Sequence, residues 1–137
     1  MADATHLEAL KQGVDVWNSW RATHTDVRVD VSNASLRGLN LAKVNLCGAD
    51  LHKADLRGAI LSGAVLIAAN LSGANLFKAV LDGADLLGAN LIGARFLNCA
   101  QLTTTRNWQT ARRDPDLSCG APIPPIPDRP GIGSDRP

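Results

Sequence analysis

The chain has no tyrosine, two phenylalanines, one methionine and three cysteines among its 137 residues. So few aromatics argue against a nucleic-acid platform, which interleaves basic and aromatic side chains on one face. Neither sign of charge dominates: 14 lysines and arginines stand against 13 aspartates and glutamates. A balance this even supplies no overall field for nucleic acid or an anionic membrane. Long hydrophobic runs are missing too. The longest mostly apolar stretch, residues 59–69, is interrupted by Ser62 and Gly63 and is too short to span a bilayer. The start of the chain has neither the basic residues nor the apolar run of a secretory signal, so a cytoplasmic location is expected.

Cys47, Cys99 and Cys119 are odd in number and scattered. That count argues against a disulfide scaffold and for a reducing compartment. Cys99 is expected in the core and Cys47 as an exposed thiol. No pair of cysteines has metal-ligand spacing, and His6, His24 and His52 have no ligand-like neighbours. His52 is expected to be solvated. No nucleophile, base and orienting group converge by spacing, so no enzyme, metal or cofactor is expected.

What is present is a repeat. Residues 29–98 divide into fourteen consecutive five-residue units without insertion, from VDVSN and ASLRG to ANLIG and ARFLN. The middle residue of each unit, its centre, is leucine in twelve. Leu36, Leu41, Leu46, Leu51, Leu56, Leu61, Leu66, Leu71, Leu76, Leu81, Leu86 and Leu91 fill these places; Val31 and Phe96 are the other two. A five-residue period overshoots one helical turn by roughly 140° and leaves no apolar stripe. On a straight strand an odd period sends successive leucines to opposite faces. Only a chain that turns inward once per unit buries every centre, which means a solenoid. Each buried leucine is worth roughly 1.5–3 kcal/mol. Asp or Asn precedes the centre in nine units, where its side chain can bond turn backbone, and Gly ends eight units, where a tight corner favours it. Asp50, Asp55 and Asp85 are therefore read as structural.

Periodicity leaves open whether the coil has three sides or four. The pattern small–Asp/Asn–Leu–x–Gly resembles the pentapeptide-repeat family over 70 of the 137 residues. That resemblance implies an all-β solenoid: a right-handed, four-sided parallel β-helix with 20 residues per coil and about 3.5 coils here. The segment NWQTARRDPDL, residues 107–117, resembles the Asn-Trp-x-x-Ala-x-x-Asp-Pro-x-Leu stretch that follows the repeats in many bacterial members. Arg113 stands where that stretch usually has an aromatic.

Four regions follow. Residues 1–28 are read as an N-terminal capping helix and link, with one amphipathic helix over 4–23. Thr5 and Glu8 have capping-box spacing, and Leu7, Leu10, Val14 and Trp17 form the buried stripe. Residues 29–98 form the β-helix. Residues 99–117 are a C-terminal cap with a short helix over 106–113, in which Trp108 and Ala111 cover the last coil. Residues 118–137 hold six of the seven prolines and are read as a mobile tail.

The outward positions turn apolar along the repeat. With 20 residues per coil, Cys47, Ile67 and Leu87 share one column, with Val65 beside it. Phe77 and Leu97 share another, with Ile60 and Val80 across a corner. Apolar patches on a surface mark contacts. The occupant is either the chain's own C-terminal segment or an unknown protein partner or second copy; no nucleic acid and no membrane are expected. The function expected is a non-catalytic protein-interaction or scaffold module. The alternative is mimicry of duplex DNA to modulate a type II topoisomerase, as the family's best understood members do. That needs a strongly negative rod, and residues 29–98 carry five acidic and six basic residues.

Overall fold

The computed structural model describes residues 2–124. The repeat is a β-helix solenoid with a period of 20. Parallel bridges link Asp30 to Asp50, Asp50 to Asn70 and Asn70 to Asn90 on a first face. Ser35, Asp55, Asn75 and Arg95 bridge in turn on a second, Asn40, Ile60 and Val80 on a third, and Asn45, Val65 and Asp85 on a fourth. Four units therefore make one coil. Among the described residues each side contributes a single bridging residue per level, and no extended strand forms.

The backbone explains the period. From Asp50 onward the residue before each centre donates to a carbonyl one coil earlier, as Asp55 does to Ala34 O (2.9 Å). The centre donates to the coil after it, as Leu56 does to Asn75 O (2.9 Å). All nine Asp and Asn residues before a centre accept the amide two residues on, from Asp30 with Ser32 to Asn90 with Ile92. This fixes each corner. The last residue of each of the first thirteen units is left-handed, including Lys43, Lys53 and Lys78 where glycine would be unstrained. Centres Val31 through Leu91 are buried, as is nearly every small residue two before them.

The fourteenth unit breaks this rule. Its left-handed residue is Phe96 (φ 58°), two positions early. The chain turns its corner there, so Phe96 swings outward to 57 % exposure while Leu97 is buried in its place. The expected assignment, Phe96 inward and Leu97 outward, is reversed.

The ends also differ from expectation. Two helices replace the single one, α1 (Ala4–Lys11) and α2 (Val14–Thr23), because Gly13 (φ 118°) breaks the run. Asp3 rather than the Thr5–Glu8 pair caps α1. Leu10 and Trp17 are buried, and Leu7 and Val14 are partly so. Both helices satisfy the first coil's open backbone. Asp30 N donates to His6 Nδ1 (3.1 Å), Trp17 Nε1 donates to Asn45 O (2.7 Å), and Asn45 N donates to Asn18 Oδ1 (2.8 Å).

At the other end α3 (Cys99–Leu102) closes the third face, where Gln101 Nε2 donates to Leu76 O and Ala79 O (3.1 Å each). The expected helix over 106–113 is absent. The ladder continues instead, Asp85 to Arg106 and Asn90 to Arg112, with 3₁₀ turns at Trp108–Thr110 and Pro115–Leu117. Trp108 and Ala111 are buried.

Arg113 is 2 % exposed, and its guanidinium donates to the carbonyls of Gln109, Ala111, Leu117, Ser118 and Pro122. It lies 5.1 Å from the Trp108 ring. A flat cation thus occupies the place of a flat aromatic and also collects otherwise open carbonyls. Residues 118–122 consequently pack onto the domain rather than beginning a tail. A disulfide joins Cys99 to Cys119, contrary to the reading of three unpaired cysteines, and leaves Cys47 as a partly exposed free thiol. The odd count concealed one pair and a single residue. Residues 125–137, the greater part of the expected mobile tail, lie outside the described residues.

Candidate functional site

Period-20 stacking sorts the charges that looked balanced in sequence. Of the six basic residues in the repeat, Arg37, Lys53, Arg57, Lys78 and Arg95 lie on the second face or its two corners. Only Lys43 lies elsewhere. One repeat aspartate, Asp55, shares the second face. Asp114 lies at its lower corner, where the carboxylate accepts from Gly93 N (2.9 Å).

Asp55 is held by Arg57, with Nε to Oδ1 at 2.8 Å and Nη2 to Oδ2 at 2.6 Å. The Arg57 side-chain hydrogen bond, helped by the Arg57 backbone amide, holds the Asp55 carboxyl below the usual carboxylate range against the opposing effect of burial. The pair is partly exposed, so its own contribution to stability is small. Its consequence is local neutrality. Arg37, Lys53, Lys78 and Arg95 form no salt bridge among the described residues.

The slipped fourteenth unit completes this face. Phe77, 44 % exposed, and Phe96 meet edge to face, with centroids 5.5 Å apart and planes at 69°. Lys78 Nζ lies 5.4 Å from the Phe77 ring and the Arg95 guanidinium 5.3 Å from the Phe96 ring. Lys53, Asp55, Arg57, Asn75, Phe77, Arg95 and Phe96 line an open groove of about 720 Å³. Gly73 also lines it, and a Cβ there would come within 3.1 Å of Lys53 Cγ.

The expected apolar columns are partly brought together. Ile60 and Val80 pair directly across the third face and are both exposed, around the corner from Phe77. Leu87 is exposed on the fourth face, while Cys47, Val65 and Ile67 beside it are half-buried. The described C-terminal segment follows the ladder below the last coil rather than lying over these columns. His52, expected to be solvated, has its Nδ1 2.9 Å from Ser72 Oγ one coil on. Sequence reasoning missed Arg95 and Phe96 as surface residues, because strict five-residue counting hides the early corner. It placed Leu97 beside Phe77 in one column, where the early corner puts Phe96 instead.

Among the described residues no His, Cys, Asp or Glu group is arranged to hold a metal, and no helix is long and apolar enough to cross a membrane.

Comparison with known proteins follows the repeat. The family model described as pentapeptide repeats matches eight copies, over residues 27–63 and 69–103. No curated protein matches the chain. Among solved structures it is similar to HetL, a pentapeptide-repeat protein involved in heterocyst differentiation regulation in the cyanobacterium Nostoc. Identity there is 45 %, over 49 % of this chain and 34 % of that one, with a TM-score of 0.31. A pentapeptide-repeat protein of the Arabidopsis thaliana thylakoid lumen matches at 28 % identity, over 62 % of this chain and 60 % of that one, with a TM-score of 0.33. A third, from the cyanobacterium Cyanothece, matches at 31 % identity over 64 % and 62 %, with a TM-score of 0.35. The alignments thus span about a third of the first structure and about three fifths of the other two.

Proposed function

The chain belongs to the pentapeptide-repeat family, and from that premise we propose that it is a non-catalytic interaction module working through its second face. The observation that carries this reading is the open groove in which Phe77 and Phe96 are exposed between Lys53, Lys78 and Arg95. Away from this face the Asp and Asn side chains before the centres are spent on seven Asx turns, and the centres on the core. Exposed arginine and aromatic side chains clustered in one concavity are what interfaces are built from. The reading also takes the coil as right-handed and both ends as caps. The Trp17 and Asn18 bonds to the first coil and the Arg106 and Arg112 bridges to the last support the caps.

The partner is a different molecule rather than a second copy docked through the same face. A two-fold contact there would set Arg37, Lys53, Lys78 and Arg95 against their own kind. The same basic face weighs against mimicry of DNA, which would need the opposite sign. A photo-crosslinking residue placed at Phe77 tests the proposal in the cell of origin, with the same residue at the exposed Leu87 on the fourth face as control. Phe77 should give one discrete crosslinked product and Leu87 none. No product from either position, or equal products from both, would refute a dedicated second-face contact.

A further inference from the structure

We propose that the second-face groove takes a short acidic peptide segment of a partner protein, with one apolar side chain packed into the angle in front of the Phe77–Phe96 pair and flanking carboxylates on Lys53 and Arg95. The proposal rests on the interaction-module reading above and adds the chemistry of the ligand.

Charge comes first. The five repeat cations of this face meet one repeat carboxylate, Asp55, which Arg57 holds, and the nearby Asp114 accepts from the Gly93 amide. The ligand side must therefore bring negative charge. Shape comes second. The two rings stand at 69° and form a notch rather than a flat platform. A nucleobase stack needs parallel planes, whereas a notch accepts one side chain from the front. Extent comes third. From the Arg57 level to the Arg95 level the face rises two coils, about 10 Å at the spacing of stacked strands. That matches three residues of extended peptide at about 3.3 Å each. A polyanion held by backbone charge draws its affinity from roughly six to ten phosphate contacts. This face offers fewer cations, on a chain with no net field behind it. Apolar continuity comes last, since the exposed Ile60–Val80 pair extends the notch around the corner for the rest of a protein partner.

The test uses the full chain and a dye-labelled peptide, Glu-Asp-Phe-Asp-Glu, read by fluorescence anisotropy. Three further ligands accompany it: the same peptide with Gly for Phe, a Lys-Arg-Phe-Arg-Lys peptide, and an oligothymidylate of similar length. The acidic Phe peptide should bind saturably and lose affinity as salt rises. It should weaken at least ~10-fold when its Phe is removed, and equally for Phe96→Ser or Arg95→Glu, which is about 1.4 kcal/mol. Lys53→Glu serves as a second charge variant, and thermal melts establish that each variant is folded. Absence of saturable binding, binding indifferent to these substitutions, or tighter binding of the basic peptide or oligothymidylate would each overturn the proposal. If the Phe77 crosslink forms while the acidic peptide neither binds nor competes with it, only the ligand chemistry is wrong. If no crosslink forms, the module reading itself falls.

Discussion

Replacing Phe96 and Leu97 by alanine, one at a time, tests the early corner of the fourteenth unit. The five-residue pattern makes Phe96 a core centre and Leu97 a surface residue; the structure reverses them, with exposures of 57 % and 9 %. Leu97→Ala removes buried carbons at the last coil, and such truncations cost about 2–5 kcal/mol. At the rim of the stack the lower half of that range, ~2–3 kcal/mol, is expected. Phe96→Ala forfeits the edge-to-face contact with Phe77, about 0.5–1.5 kcal/mol, and little burial. The mid-stack Leu66→Ala, at a fully buried centre, sets the scale near ~3 kcal/mol. Urea unfolding followed by far-ultraviolet circular dichroism reads all three. A domain stability of roughly 5–15 kcal/mol leaves each variant measurably folded. The order Leu66→Ala, Leu97→Ala, Phe96→Ala, from most to least destabilised, is predicted. A Phe96→Ala loss equal to or greater than that of Leu97→Ala would refute the slipped register and return Phe96 to the core.

Three further outcomes follow from the same contacts. Arg113→Met should cost about 3 kcal/mol, because five carbonyls around a 2 %-exposed guanidinium lose their donor; a loss below ~1 kcal/mol by urea unfolding would contradict that. Cys119→Ser opens a link between residues 20 apart, worth about 3 kcal/mol in chain entropy; an unchanged urea midpoint would contradict the pairing. The third concerns acid. Asp30 is held below the usual carboxylate range by the Ser32 hydroxyl, Asp55 by the Arg57 side chain and Asp85 by the Asn107 amide. Each carboxyl is more acidic folded than unfolded, so its stabilisation is present above the unfolded value near ~3.9 and fades as pH falls through the folded one. Urea midpoints should hold from neutral pH to about 5 and fall below about 4, with a shallower fall in Asp85→Asn; a midpoint that rises on acidification would reverse the sign and refute the assignment.

The inward half of the fold was legible because each unit repeats the same three constraints: a leucine to bury, an Asx side chain to close the turn, and a left-handed corner. The resemblance supplied the fourth side, and the bridges from Asp30 through Asn90 follow its 20-residue step. Local exceptions were not legible. Gly13 within an otherwise regular helical pattern gave only a weak sign of the break between α1 and α2. Nothing local in ARFLN marks Phe96 as the corner, since asparagine at position 98 is the better left-handed residue. Cys99 and Cys119 looked unrelated because their closeness depends on α3 and on Arg113 folding the chain back. The candidate site failed to show in composition for a simpler reason. Fourteen cations against thirteen anions is a sum, and sidedness appears only after the cations are wound onto four faces.

That sidedness can be measured with two substitutions of identical charge change. Arg95→Glu lies on the second face and Lys43→Glu at the one basic position of the repeat outside it. With the crosslinking residue at Phe77, Arg95→Glu should abolish the product and Lys43→Glu should leave it intact, both proteins melting close to the parent. Equal loss in both variants, or no loss in either, would contradict a function confined to one face of the solenoid.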